Sequence, residues 1–160
     1  MTTRINRRDF LKAGAVAGAG LTLRFALPGL GPTDAAAASA WDPNTSLTIT
    51  PDGLVTVHIA KAEMGQGVGT ALAQVVAEEL EADWKDIRID YPTNDPKYGL
   101  MITGGSWSVN WTFDTLSRAG AAARMMLVDA AAKRWQVPAS ECIAARSTVR
   151  HLITGRSISY

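Results

Sequence analysis

The chain has 160 residues, 47% of them hydrophobic and 19% charged, with a formal net charge of +1, a composition that suits a soluble globular protein of about one domain. That balance gives no basis for a nucleic-acid or polybasic membrane partner. Cys142 is the single cysteine and His58 and His151 are the two histidines, which excludes an intrachain disulfide, an all-cysteine zinc site, an iron–sulfur cluster held by this chain and any His/Cys cluster with metal-ligand spacing. No metal ligands are assigned, so metal chemistry has to arrive with a cofactor.

The first 40 residues run from basic to apolar and Ala/Gly-rich to small, the three-part layout of an export signal. Arg7 and Arg8 followed by Phe10, Leu11 and Lys12 resemble the twin-arginine motif, with Asn6 where Ser or Thr is commoner. An uncleaved inner-membrane anchor is the competing reading. The stretch from Ala13 to Leu30 makes a poor span, because Arg24 lies inside it and a mid-span charge costs about 2.5–3.5 kcal/mol on insertion scales. Ala38-Ser39-Ala40 offers a small-x-small cleavage site. The expected division is therefore a signal peptide and linker over 1–40 and a domain over 41–160. Residues 1–40 carry five of the 16 basic and two of the 15 acidic residues, leaving 11 against 13 and a net charge of −2.

Next come two alternating β-rich runs, "SLTIT" and "LVTVHIA", joined by Pro51-Asp52-Gly53. Proline presets φ, aspartate caps and glycine takes positive φ, which predicts a hairpin. Leu72, Val75, Val76 and Leu80 then recur at helical spacing, predicting a helix that begins near Thr70. "DIRIDYP" predicts a third strand over 86–92, stopped by Pro92. Residues 93–111 read as a long loop whose Trp, Tyr, Met and Ile content suits function rather than disorder. A second, long helix follows. Thr112 or Asp114 is its expected cap, and Leu116, Gly120, Ala123, Leu127, Ala131 and Trp135 its inner face, small enough to lie close against a sheet. Pro138 stops it, and the remainder reads as a short helical turn and strand-like segments with a turn at Thr154-Gly155. The last residues, "SISY", stop within an alternating pattern, which reads as truncation or as one half completed by another chain. The order predicts an α+β fold: a mixed sheet packed against two helices, an incomplete part of something larger.

Strand, then Gly65-Gln66-Gly67-Val68-Gly69, then helix is an arrangement whose free N–H groups and helix dipole point at an anion. The spacing matches neither the dinucleotide fingerprint nor the P-loop. A tight turn whose glycines merely supply positive φ is the plainer alternative. Gln66, between two glycines, has little room to be buried in a core, and its neutral amide can donate to an oxo or phosphate oxygen.

"EMGQGVGTALAQVVAEEL" resembles the Met-Gly-Gln-Gly segment of the molybdopterin-binding large subunits of the xanthine dehydrogenase and aldehyde oxidase family, with matching positions Gly65, Gln66, Gly67 and Thr70. "TGGSWSVNWTFDTLSRAGAAARMML" is similar to that family's second cofactor loop and following helix. The nearest sub-group is the isoquinoline 1-oxidoreductase-like β subunits, which also open with a twin-arginine signal. The resemblance implies a molybdenum-molybdopterin cofactor, taken as the cytosine dinucleotide form. Gln66 would donate to an oxo ligand of the molybdenum, and Gly65, Gly67 and the N–H groups near Thr70 would line the cofactor. Gly104, Gly105 and Ser106 would contact the pterin or its tail. It also implies [2Fe-2S] clusters on an iron–sulfur small subunit, the remainder of the large subunit as a second partner, and the twin-arginine translocase as the route of a folded, cofactor-loaded product to the periplasm.

Trp107 and Trp111 read as core, with walling of the pocket as the alternative; Met64, Met101, Met125 and Met126 read as packing, and Cys142 as a buried structural thiol. The family's large subunits are several times longer, and their general-base glutamate lies near the C-terminal end, outside this chain. No catalytic residue is assigned. Glu63 reads as a strand-end surface group and Glu78, Glu79 and Glu81 as a solvated helix face. The expected function is the N-terminal part of an exported molybdenum hydroxylase large subunit, inactive alone, that oxidises an N-heteroaromatic or an aldehyde with water as oxygen donor. The rivals are a small non-catalytic periplasmic domain and one piece of a split molybdoenzyme.

Overall fold

A computed structural model describes residues 46–160; the expected twin-arginine signal and cleavage site lie outside the described residues. The elements in order are β1 (Leu47–Ile49), β2 (Val55–His58), α1 (Val68–Leu80), β3 (Ile87–Asp90), α2 (Ser108–Trp135), β4 (Cys142–Ala145), β5 (Thr148–His151) and β6 (Ser157–Ser159). Single 3₁₀ turns lie at Trp84–Asp86, Pro96–Tyr98 and Ala139–Glu141.

Pro51-Asp52-Gly53 makes the expected turn, with Gly53 at φ 84°, and pairs β1 antiparallel to β2. β3 then joins β2 in parallel, which obliges the chain to cross over between them, and α1 is that crossover. The register sets His58 opposite Asp90, and the imidazole Nδ1 lies 2.9 Å from the Asp90 carboxylate while Nε2 lies 3.0 Å from Thr48 Oγ1. One side chain thus ties all three strands. The fold is α+β as expected, with one addition: β4, β5 and β6 form a separate antiparallel sheet.

The main core lies between the first sheet and the helices. Val55, Val57, Leu72, Val76 and Leu80 have no exposed surface, each worth about 1.5–3 kcal/mol of burial. Leu116, Ala119 and Ala123 of α2 complete it. The small residues of α2 serve two neighbours rather than one sheet. Gly120 lies against α1, where a Cβ would sit 2.9 Å from Glu79 Cβ and 3.0 Å from the Val76 carbonyl, so its glycine permits the close helix crossing. Ala131 and Ala132 instead pack with Cys142 and Val149 of the second sheet. Leu127 and Tyr160 contact both clusters and join them.

α2 begins at Ser108, before the expected Thr112 or Asp114, on Trp107 with no side-chain cap. Its end uses Gln136 in the left-handed conformation, ahead of Pro138. The β4–β5 turn uses two non-glycine residues of positive φ, Arg146 and Ser147. His151, 2% exposed, is held by Thr154 Oγ1 at 2.7 Å and Glu141 at 2.8 Å, so both histidines have structural partners. Burial, and next the charge of Glu141, raise the Cys142 thiol pKa, in keeping with a structural role. Among the described residues no helix is long and apolar enough to cross a membrane.

Candidate functional site

Beyond β2 the chain runs through Ile59 and Ala60 into Lys61-Ala62-Glu63, and the glycine turn begins there. Gly65 (φ 90°) and Gly67 (φ 76°) occupy the left-handed region that favours glycine, and Gly67 is the residue from which α1 starts. The anion at this turn belongs to the chain itself. Glu63 Oε1 accepts the N–H groups of Gly65 (2.8 Å) and Gly67 (3.0 Å), and Oε2 accepts that of Gly69 (3.1 Å). These N–H bonds, Gly67 first, then Gly69 and Gly65, hold the Glu63 carboxyl below the usual carboxylate range. Glu63 is exposed, as expected of a strand-end surface group, and it is in addition the acceptor of the turn.

Tyr91 closes over the same point. Its hydroxyl donates to Glu63 Oε2 at 3.5 Å, and a Cβ on Gly69 would meet that hydroxyl oxygen at 1.9 Å. Desolvation, then the Glu63 charge, raise the phenol pKa. Gly69 thus gives the tyrosine room beside the helix start.

Gln66 is exposed and folds back on its own segment: its Oε1 accepts from Met64 N at 2.5 Å and its Nε2 donates to Ala62 O at 2.7 Å. The same Ala62 donates its N–H to Thr103 Oγ1 at 2.7 Å, across 41 residues of sequence. Beside it, the buried Lys61 ammonium donates to the carbonyls of Leu100 (2.8 Å) and Ile102 (3.2 Å). Burial lowers the Lys61 pKa. Three consecutive residues therefore carry both loops.

Between the loops lies a cleft of about 290 Å³, with Gln66 and Gly67 on one side, Thr103, Gly104 and Ser106 on the other, and Val68 and Ala71 of α1 between. Of the expected cofactor residues, Gln66, Gly67, Gly104 and Ser106 line it; Gly65, Thr70 and Gly105 do not, and Thr70 is exposed. Gly105 has a different task. At φ 60° it lies so close to the Trp107 indole that a Cβ would fall 2.8 Å from Cδ1. Trp107 and Trp111 are neither core nor lining: they stack on each other at 5.4 Å, each about half exposed. Met64, 73% exposed, lines the cleft rather than packing in a core, and Met125 is also exposed at 67%. The expected solvated helix face holds for Glu78 and Glu81, whereas Glu79 is half-buried and accepts from Ser117 at 2.8 Å.

The polar groups of the cleft are the Gln66 amide, the three hydroxyls of Thr103, Ser106 and Ser108, and backbone, with no carboxylate, thiolate or imidazole. Beside the apolar Met64, Val68, Ala71 and Val109, these neutral groups suit a ligand that brings its own metal. Gly67 and Gly104 have nothing within 4 Å of where a Cβ would lie, so a group can approach the backbone at both. Among the described residues no His/Cys/Asp/Glu cluster could hold a metal ion directly.

Comparison with known proteins gives the same direction. A family model described as a molybdopterin cofactor-binding domain matches residues 3–160. The membrane-bound aldehyde dehydrogenase (pyrroloquinoline-quinone) of Gluconacetobacter polyoxogenes is 43% identical over 98% of this chain and 20% of its own length. The isoquinoline 1-oxidoreductase subunit beta of Brevundimonas diminuta is 34% identical over 99% of this chain and 22% of its own. The chain spans about a fifth of the length of these curated relatives. Quinoline 2-oxidoreductase from Pseudomonas putida 86 has a similar fold, with a TM-score of 0.55 and 22% identity over 71% of this chain and 14% of that one.

Proposed function

The chain belongs to the molybdopterin cofactor-binding domain family, and from that premise we propose that the cleft between the two loops is the part of a molybdenum-pterin site that this chain supplies. The observation that carries the reading is convergence: Gln66 and Gly67 on one side and Gly104 and Ser106 on the other, far apart in sequence, wall one cleft whose glycines leave the backbone open. When bound, the cofactor would supply two-electron oxidation of a substrate with oxygen drawn from water. The chain's own contribution is to bind and orient. Gly67 and Gly104 allow close approach of the backbone, Ser106 and Thr103 offer hydroxyls, and the Gln66 amide, exposed at the rim, offers a neutral donor without added charge.

The larger protein is an exported molybdenum hydroxylase. Its substrate class, N-heteroaromatic or aldehyde, is supported by the names of the two curated relatives. A twin-arginine signal over 1–40 would carry it folded to the periplasm, with Arg7 and Arg8 as the recognised pair. The cytosine dinucleotide form of the pterin and a [2Fe-2S] partner subunit complete the proposal.

Metal analysis of the protein purified with its natural partners tests it. Stoichiometric molybdenum is expected, and Gln66→Ala should lower its retention or reduce turnover by about tenfold or more, the scale of losing one preorganised donor. Full molybdenum loading with unchanged turnover in Gln66→Ala would remove Gln66 from the site. Molybdenum-free protein containing a quinone would remove the pterin reading altogether.

A further inference from the structure

We infer that Glu63 is a positioning residue for the cofactor cleft: an internal anion that fixes the glycine turn and thereby sets Gln66 and Gly67 on its wall. The inference rests on the pterin reading of that cleft.

Three amides that converge on one point leave a concentrated positive pole at the start of α1, and a turn of such flexibility collapses or samples many shapes unless something occupies it. Glu63 is placed to do so from within the chain. Its two oxygens take all three N–H groups at 2.8–3.1 Å, and each bond fixes a different peptide of the turn. Charge-assisted N–H bonds of this kind are the stronger class. Gly69 completes the arrangement, since any side chain there would displace the Tyr91 hydroxyl that touches Glu63.

The turn so fixed determines where Gln66 lies. Both polar atoms of the Gln66 amide bond to the two residues that flank Glu63 on either side, Ala62 and Met64. A shift of the Glu63 carboxylate therefore moves the backbone that carries Gln66 and the groups that orient its side chain. Glu63 itself does not line the cleft. It acts through Gln66 and Gly67.

The test is molybdenum per polypeptide, and its rate of loss on dilution, in the protein purified with its natural partners, for wild type, Glu63→Gln and Glu63→Ala, each with and without added formate. Glutamine keeps one acceptor oxygen, for Gly65 and Gly67, and turns an amide N–H toward Gly69. Expected losses rank Ala above Gln above wild type, with about tenfold faster loss in Glu63→Ala. Formate, a carboxylate small enough for the vacated position, should restore retention in Glu63→Ala and leave wild type unchanged. A residue needed only for folding shows no such rescue. Wild-type retention in Glu63→Gln, or loss in Glu63→Ala that formate leaves untouched, overturns the inference while the cleft reading stands. If Glu63→Ala does not accumulate, the glutamine variant decides. Wild type without molybdenum overturns both.

Discussion

The turn at 62–67 and the loop at 99–106 face the same cleft, yet their hydrogen bonds run in different directions. The first is closed on itself: Glu63 and Gln66 bond to peptides no more than six residues away. The second hangs on a distant strand end, through Leu100 and Ile102 to Lys61 and through Thr103 to Ala62. A self-closed turn keeps its shape wherever it is put. A hung loop keeps its shape only while the support is present, which makes the first the fixed wall and the second the adjustable one.

The comparison can be broken most forcefully where the helices behind the two loops touch. Gly120→Ala drives a methyl group into the α1 backbone, and overpacking of this kind costs about 1–3 kcal/mol. Thermal unfolding should show that loss, and hydrogen exchange should quicken at both loops together, because their helices are pushed apart. Lys61→Met is narrower. It removes two charge-assisted donors, worth about 1.5 kcal/mol of local order, so amides of 99–103 should exchange roughly tenfold faster while those of Gly65, Gly67 and Gly69 stay as they were. Equal acceleration in both loops would show that the second is not hung independently.

Acid should give the smallest effect and the opposite pattern. The Glu63 pKa is lowered by the fold, so its contribution is present above its ordinary value of 4.5 and is lost as pH falls through the lower folded value. Between those limits the Gly65, Gly67 and Gly69 amides should lose protection, whereas the Lys61 bonds, whose donor stays charged, persist. Amide exchange followed by NMR across that range reads both loops at once.

The same contrast explains what the sequence could show. The hairpin at Pro51-Asp52-Gly53 and the inner face of α1 were legible because their determinants are neighbours: turn residues in order, and apolar residues at helical spacing. Glu63 was legible in principle, since a carboxylate two, four and six residues before turning glycines lies within reach of their amides, but a glutamate beside a turn looks like surface. Lys61 carried no such signal. Its partners lie 39 and 41 residues away and are carbonyls, which every residue has. The start of α2 was misplaced for a related reason: Trp107 is not a capping residue, so the polar side chains further on drew the boundary. Likewise Glu81, Gln136, Arg146 and Ser147 take the left-handed conformation without the glycine that marks it in sequence.

Tyr160 bears on how the chain reaches this state. Its hydroxyl donates to the Leu80 carbonyl at 2.6 Å, its N–H donates to Ser147 O at 3.0 Å, and its own carbonyl lies where a Cβ on Gly53 would meet it at 3.3 Å. The first of these bonds spans 80 residues. Contacts of such sequence separation slow folding, because the loop between them must be closed before they give anything back. On the ribosome the first sheet can pair and α1 can form, but the end of α1 and the β1–β2 turn gain this partner only after β6 and Tyr160 have emerged.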